Sequence, residues 1–316
     1  MILGSPSVVL WRMLPAKNPQ DSNHVSFRPS NTEYARVLLY VRQRQPVMLV
    51  GPTGCGKTTL VTQLASELGR PLITISGSGQ TRNDLVGRYL LSREGTTWED
   101  GPLTRAVKAG AIFYYDEIGG ADDSALEILH PLLDHRRVLA TEALGEIPAA
   151  PGFQFIAAYN PGYGALARAF TPAFRQRFAY VRMSYLEEAA ERSLLLSEST
   201  LTSEDADFLL AVARITRSRL DGRLQEAVST RLLLNAAPHL ASGMSRRDVL
   251  NDLLLGPLTD DPGTIAIIME TLHAAGVLEM EQLDGLEAPE PRRLPILTDN
   301  DFFEDDGSGD EAREQQ

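Results

Sequence analysis

Two groups of residues in this chain are of the kinds that handle phosphate esters. The first is Gly51-Pro52-Thr53-Gly54-Cys55-Gly56-Lys57-Thr58, which fits the pattern Gly-x4-Gly-Lys-Ser/Thr. Glycines so placed let backbone N–H groups converge on phosphate oxygens, and a helix beginning near Lys57 adds the positive end of its dipole. Lys57 is expected to reach the β and γ phosphates of the ligand, and the Thr58 hydroxyl to ligate Mg2+. With Thr59 following directly, residues 51–59 are expected to surround the nucleotide; Cys55, at a variable position of the loop, reads as a small spacer. The second group is Asp116-Glu117, two adjacent carboxylates after the apolar run Ala111-Ile112-Phe113-Tyr114-Tyr115. Asp116 is placed to hold the hydrated Mg2+ and Glu117 to activate the attacking water as a general base. A lone Asp would serve binding, whereas Asp-Glu points to hydrolysis.

These groups need a frame. Val47-Met48-Leu49-Val50 is a short apolar run bounded by Pro46 and Gly51, which suits a strand buried on both faces of a parallel sheet. Residues 71–75, 111–115 and 153–158 repeat the pattern, and residues 58–68, 103–109 and 124–133 have helical spacing between them. A further helix is expected over 32–44. Such alternation argues for a parallel sheet covered by helices. After about Met183 the strand pattern stops, and residues 186–196, 206–220, 229–240 and 246–255 all read as helices. Ser245-Arg246-Arg247-Asp248 is a capping-box candidate for the last of these. Residues 264–275 read as one more helix, with Gly276 as its stop signal.

At 316 residues the chain is expected to hold one large α/β domain and a smaller appended one. A single cysteine excludes an intramolecular disulfide and favours the cytosol. No apolar run is long enough to span a membrane. Met1 to Trp11 has no leading Lys or Arg and is interrupted by Gly4, Ser5, Pro6 and Ser7, so it reads poorly as a signal peptide. The formal charge is -12, but residues 286–316 carry ten acidic and three basic residues, which leaves -5 for the rest. Without a basic excess, nucleic acid is not expected as a partner. The tail segment, with Pro289, Pro291 and Pro295, is expected to be disordered. His24, His130, His135, His239 and His273 form no metal-ligand spacing.

Further motifs sharpen this reading. They are Asp84-Leu85-Val86-Gly87-Arg88-Tyr89-Leu90-Leu91, Trp98-x-Asp100-Gly101-Pro102-Leu103, His130-Pro131-Leu132 with Arg136-Arg137, Tyr159-Asn160-Pro161-Gly162-Tyr163, Arg175-Gln176-Arg177-Phe178, Ser229-Thr230-Arg231 and Pro257-Leu258-Thr259-Asp260-Asp261-Pro262. Over about 45–273 the sequence resembles an AAA+ ATPase of the MoxR branch, the branch that contains the CbbQ, NirQ and NorQ proteins. The resemblance implies a P-loop AAA+ core with a parallel sheet between helices, followed by a smaller all-helical lid domain. The expected division is an N-terminal arm over 1–30, the nucleotide-binding core over 31–183, the lid over 184–256, a family-type C-terminal region over 257–285 and the acidic tail over 286–316.

Carried over by resemblance, Asn160 is sensor 1, orienting the attacking water. Arg177, with Arg175 as a second candidate, is the arginine finger offered to a neighbouring subunit, and Arg231 is sensor 2, reaching from the lid to the phosphates. The stretch 84–102 resembles an insert forming a hairpin, with residues 93–97 as its turn and Tyr89 and Trp98 on its flanks, where packing and substrate grip are equally open. Gly119-Gly120-Ala121 departs from the charged run of relatives and weakens assignment to the rubisco-activating subgroup. The resemblance implies a cytoplasmic ATPase dependent on ATP and Mg2+ that assembles as a homo-oligomeric ring, expected to be a hexamer. It further implies a von Willebrand factor A domain adaptor and, as client, a metalloenzyme or other enzyme complex to be remodelled or activated. A nucleotide-gated binding switch and a small-molecule phosphotransferase remain as alternatives.

Overall fold

The computed structural model describes residues 31–77, 79–92, 95–161, 170–218, 224 and 226–278. The expected arm over 1–30, the tail over 286–316, His24, Arg93, Glu94, Gly162 and Tyr163 lie outside the described residues. Among the described residues no helix is long and apolar enough to cross a membrane.

Helix α1 (Asn31–Arg42) leads into β1 (Val47–Val50), and α2 (Lys57–Glu67) follows the glycine-rich loop. Strand β2 (Leu72–Ser76), the short helix α3 (Arg82–Val86), the antiparallel pair β3 (Gly87–Ser92) and β4 (Gly95–Asp100), and α4 (Pro102–Ala109) come next. Strand β5 (Ile112–Asp116) precedes α5 (Asp123–Glu127) and α6 (His130–Leu133), then a second hairpin of β6 (Val138–Thr141) and β7 (Gly145–Pro148). Strand β8 (Gln154–Tyr159), helix α7 (Pro172–Arg175) and strand β9 (Ala179–Arg182) complete this part. The main sheet is parallel, in the order β2-β5-β8-β1-β9.

Strand side chains alternate between the two faces of this sheet, and both faces are apolar. Val47, Leu49, Ile112, Tyr114, Ile156 and Ala158 pack with α1 and α2 through Val37, Val41, Leu60 and Leu64. Met48, Val50, Phe113, Tyr115, Phe155 and Ala157 pack on the other side with Leu103, Ala106 and Val107 of α4. Of the four expected strands only β2 departs from two-sided burial: at one edge of the sheet, it buries Ile75 alone, with Leu72 and Ile73 half-buried and Thr74 and Ser76 exposed.

Beyond β9 the chain is helical: α8 (Glu188–Glu198), α9 (Ser203–Arg217), α10 (Thr230–Ala241), α11 (Arg246–Asp248) continuing as a π-helical stretch over Val249–Leu255, and α12 (Pro262–Ala274). These elements share their own core, from Leu195 and Leu209 through Leu233 and Leu254 to Ile268 and Leu272. Side chains cap several of their starts. Thr202, Ser229, Ser245 and Asp261 accept from the N–H groups of Asp205, Leu232, Asp248 and Thr264.

Three expectations need correction. The helix expected over 124–133 is two short helices, because Pro131 has no N–H for the Glu127 carbonyl and its ring crowds that turn. Residues 249–255 widen into a π-helical turn in which the Gly256 N–H reaches back to the Asn251 carbonyl at 2.8 Å. Gly95, Thr96 and Thr97 belong to β4 rather than to a turn.

Candidate active site

Because the sheet is parallel, the carboxyl ends of β1, β5 and β8 share one edge, where the groups expected to do chemistry emerge. Residues 51–56 turn from β1 into α2, with Gly54 and Gly56 at φ of 72° and 93°, values that L side chains rarely adopt. Gly54 is also close to α10, since a Cβ there would lie 2.5 Å from Ser229 Oγ. The Lys57 ammonium donates to the Gly51 carbonyl at 2.7 Å and the Pro52 carbonyl at 2.8 Å, so the loop is closed on its own lysine. Cys55 is buried beneath the loop, and burial pushes its thiol up.

Alternation along β5 sets Tyr114 and Asp116 on the α2 face. Thr58 Oγ1 donates to Asp116 Oδ2 at 3.1 Å, and the Tyr114 hydroxyl and the Glu117 N–H each donate to Oδ1 at 3.1 Å. A hydroxyl and a carboxylate this close are the hard-oxygen donors that Mg2+ takes, so Thr58 and Asp116 fit that ion. Burial, together with the Asp116 charge, pushes the Tyr114 hydroxyl far above its usual range, which keeps it a donor. Glu117 is exposed and left-handed, with φ 53°. Its backbone is held by Gly77: the Gly77 N–H donates to the Asp116 carbonyl at 2.6 Å, and a Cβ on Gly77 would fall 2.2 Å from the Glu117 carbonyl oxygen.

Asn160 follows β8, which pairs with the acid-bearing β5. Its Nδ2 donates to Thr53 Oγ1 at 2.9 Å and to Glu226 Oε1 at 3.2 Å, and Thr53 Oγ1 donates to the same carboxylate oxygen at 2.6 Å. From the helical region, Thr230 and Arg231 open α10 beside the loop. A cavity of about 320 Å3 gathers Thr53, Gly54, Gly56, Lys57, Thr58, Thr59, Asp116, Glu117, Asn160 and Arg231. Gly51, Pro52, Cys55, Arg175 and Arg177 are not among its lining residues.

The two candidate arginine fingers sit on and just after α7. Arg175 is exposed, its guanidinium 5.8 Å from the centre of the Tyr180 ring. Arg177 is half-buried and folds its Nη1 onto the Ala173 carbonyl, while its Nε is buried with no hydrogen-bond partner. The His130 ring lies edge-on against Phe174, and burial, then the Arg177 charge, hold its imidazole below its usual value. On the first hairpin, Tyr89 and Trp98 meet edge to face at 5.0 Å while Leu91 is 89% exposed.

Sequence reasoning missed four residues that shape this site. Tyr114 looks like any aromatic of a buried strand, and only its spacing of two from Asp116 hinted at a shared face. Gly77 gave no motif. Tyr185, just after β9, donates to the Thr53 carbonyl at 3.3 Å and lies under the Arg217 guanidinium, 4.1 Å away. Glu226 reaches Thr53 and Asn160 across 173 and 66 residues of chain, a separation for which local pattern carries no signal.

Residues 46–178 match the AAA domain (dynein-related subfamily), and residues 191–275 match the CbbQ/NirQ/NorQ C-terminal family. Protein NorQ of Paracoccus denitrificans is 44% identical over 218 residues, covering 68% of this chain and 81% of that protein. The denitrification regulatory protein NirQ of Stutzerimonas stutzeri is 40% identical over 230 residues, covering 72% of this chain and 84% of that protein. Among solved structures, NtrX from Brucella abortus in complex with ADP superposes with a TM-score of 0.50 at 17% identity, over 81% of this chain and 59% of that one. That last likeness speaks to the fold alone.

Proposed function

Since this chain belongs to the CbbQ/NirQ/NorQ family of AAA ATPases and is therefore a nucleotide-binding ATPase, we propose that it couples Mg2+-dependent ATP hydrolysis to remodelling or activation of a partner enzyme. The observation that carries this reading is the convergence of loop, acids, Asn160 and Arg231 on one cavity. A hydrolase needs all four, whereas a simple phosphate anchor needs only the first.

The residues divide the work as follows. The loop from Gly51 to Thr59 holds the phosphates through Gly54, Gly56, Lys57, Thr58 and Thr59, which line the cavity, Lys57 exchanging the Gly51 and Pro52 carbonyls for phosphate oxygens. Thr58 and Asp116 would hold Mg2+, which when bound there supplies positive charge against the triphosphate. Glu117, exposed at the cavity, takes the proton of the attacking water, and Asn160 orients that water. Arg231 comes from the helical region over 184–256, which acts as a lid following the state of the phosphates. Arg177 is the finger for a neighbouring protomer's site, with Arg175 as the second candidate, and the active form is a ring. Its helix end is half-exposed, as a finger presented between subunits requires.

A client is inferred from kinship alone. One relative carries the words denitrification regulatory protein. By extension, the client of this chain is a metalloenzyme or another enzyme complex, reached through a von Willebrand factor A domain adaptor in the cytoplasm. The test compares ATP turnover by the wild type and Glu117→Gln in the presence of a partner. The variant is expected to bind ATP normally and to turn over about 10²- to 10⁴-fold more slowly, the usual size of a general-base contribution. Equal and negligible turnover by both would replace the remodelling reading with that of a binding switch.

A further inference from the structure

The carboxylate of Glu226 is unexpected where it stands. It comes from the segment between α9 and α10, yet its Oε1 accepts from both Thr53 of the phosphate-binding loop and Asn160 after β8. An asparagine amide has two N–H groups. Thr53 Oγ1 and Glu226 Oε1 are themselves only 2.6 Å apart, so both lie on one side of the Asn160 amide and share its donation. Asn160 therefore cannot turn that side of its amide toward a phosphate oxygen or a water without releasing the pair. Both Thr53 and Asn160 line the cavity, so the carboxylate holds two donors that an incoming phosphate also needs. The carboxylate and a phosphate are both anionic acceptors, and they compete for the same donors while repelling each other.

We propose that Glu226 is a positioning residue that holds Asn160 and Thr53 in an arrangement ADP leaves intact and the γ-phosphate of ATP displaces. The inference rests on the reading of this cavity as the nucleotide site. Release of Glu226 lets the Asn160 amide turn toward the reacting water and loosens one of the ties between the helical region and the loop. The second tie is the Tyr185 hydroxyl on the Thr53 carbonyl, which makes no demand on Asn160 and persists. Glu226 thereby makes the lid register the third phosphate, and it lowers affinity for ATP while leaving ADP untouched.

The experiment measures dissociation constants of ADP and of a non-hydrolysable β,γ-imido analogue of ATP for the full chain, as wild type, Glu226→Ala and Glu226→Gln. Glu226→Ala is expected to tighten the analogue about tenfold with ADP unchanged, the size of one hydrogen bond to a charged acceptor. Glu226→Gln keeps an acceptor but loses the charge, so its shift has the same direction and is smaller. The isosteric Gln variant decides the matter if the Ala variant fails to fold. An unchanged ratio of the two constants, or an equal shift of both nucleotides, overturns the proposal while leaving the site reading in place. If the folded wild type binds neither nucleotide, the site reading itself falls and the proposal with it.

Discussion

Glu191 is 1% exposed, and its carboxylate accepts three hydrogen bonds: from Arg217 Nη1 at 2.7 Å, Arg217 Nη2 at 2.9 Å and Thr230 Oγ1 at 2.6 Å. Those bonds join α8, α9 and the first turn of α10, where Arg231 and Ser229 meet the phosphate-binding loop. In Glu191→Ala the guanidinium of Arg217, whose side chain is 19% exposed, loses its counter-charge while staying in place. Breaking a buried ion pair from one side costs ~3–5 kcal/mol, because the remaining charge is uncompensated. Arg217 keeps its Nε bond to the Val228 carbonyl at 3.0 Å and its stack on Tyr185, so the lower end, about 3 kcal/mol, is expected. Since α8–α12 have a core of their own, the loss should appear there first. Urea titration followed by hydrogen exchange over α8 to α10 measures it. The double variant Glu191→Ala with Arg217→Ala should be less destabilised than the sum of the single variants, because it leaves no orphaned charge. A single-variant loss below about 1 kcal/mol, or strict additivity in the double variant, would refute this account of how the start of α10 is held against the loop.

Gly54→Ala combines a strained φ of 72° with a Cβ 2.5 Å from Ser229 Oγ, so calorimetric titration should show nucleotide affinity reduced at least about tenfold while the fold persists. The His130 imidazole should titrate by NMR below its ordinary value of ~6.5, and Arg177→Ala should raise that midpoint only part of the way, since burial remains the larger cause. Between the lowered midpoint and ~6.5 the unfolded chain binds more protons than the folded one, so the contribution of His130 to stability is complete above that window and fades as pH falls through it.

The apolar runs at 47–50, 111–115 and 153–158 were enough to place β1, β5 and β8, because central parallel strands bury both faces and leave a continuous hydrophobic signature. Strand β9, with Tyr180 half-buried and Arg182 exposed, escaped notice because an edge position relaxes that demand. The hairpin of β6 and β7 is short and its second strand mostly exposed, so alternation there is too weak to read. Helix spacing ran through 124–133 because periodicity records which face is apolar, not where a proline interrupts the backbone bonds. In the site, the loop and acid pair were legible as local motifs fixed by adjacent backbone geometry. Gly77, Tyr185 and Glu226 were not, since each acts through a contact made only when distant segments fold together.

The central claim is that each ATP is hydrolysed by acids from one protomer with a guanidinium from the next, and a mixing experiment tests it most directly. Chains carrying Glu117→Gln and chains carrying Arg177→Ala are each assayed alone for ATP turnover, and then combined before assembly. Each alone should be inactive, whereas an equal mixture should recover about a quarter of wild-type turnover, the share of contacts that pair an intact Glu117 with a neighbour's intact Arg177 in a closed ring. Turnover by Arg177→Ala at the wild-type rate, or a mixture no more active than its inactive parts, would contradict it.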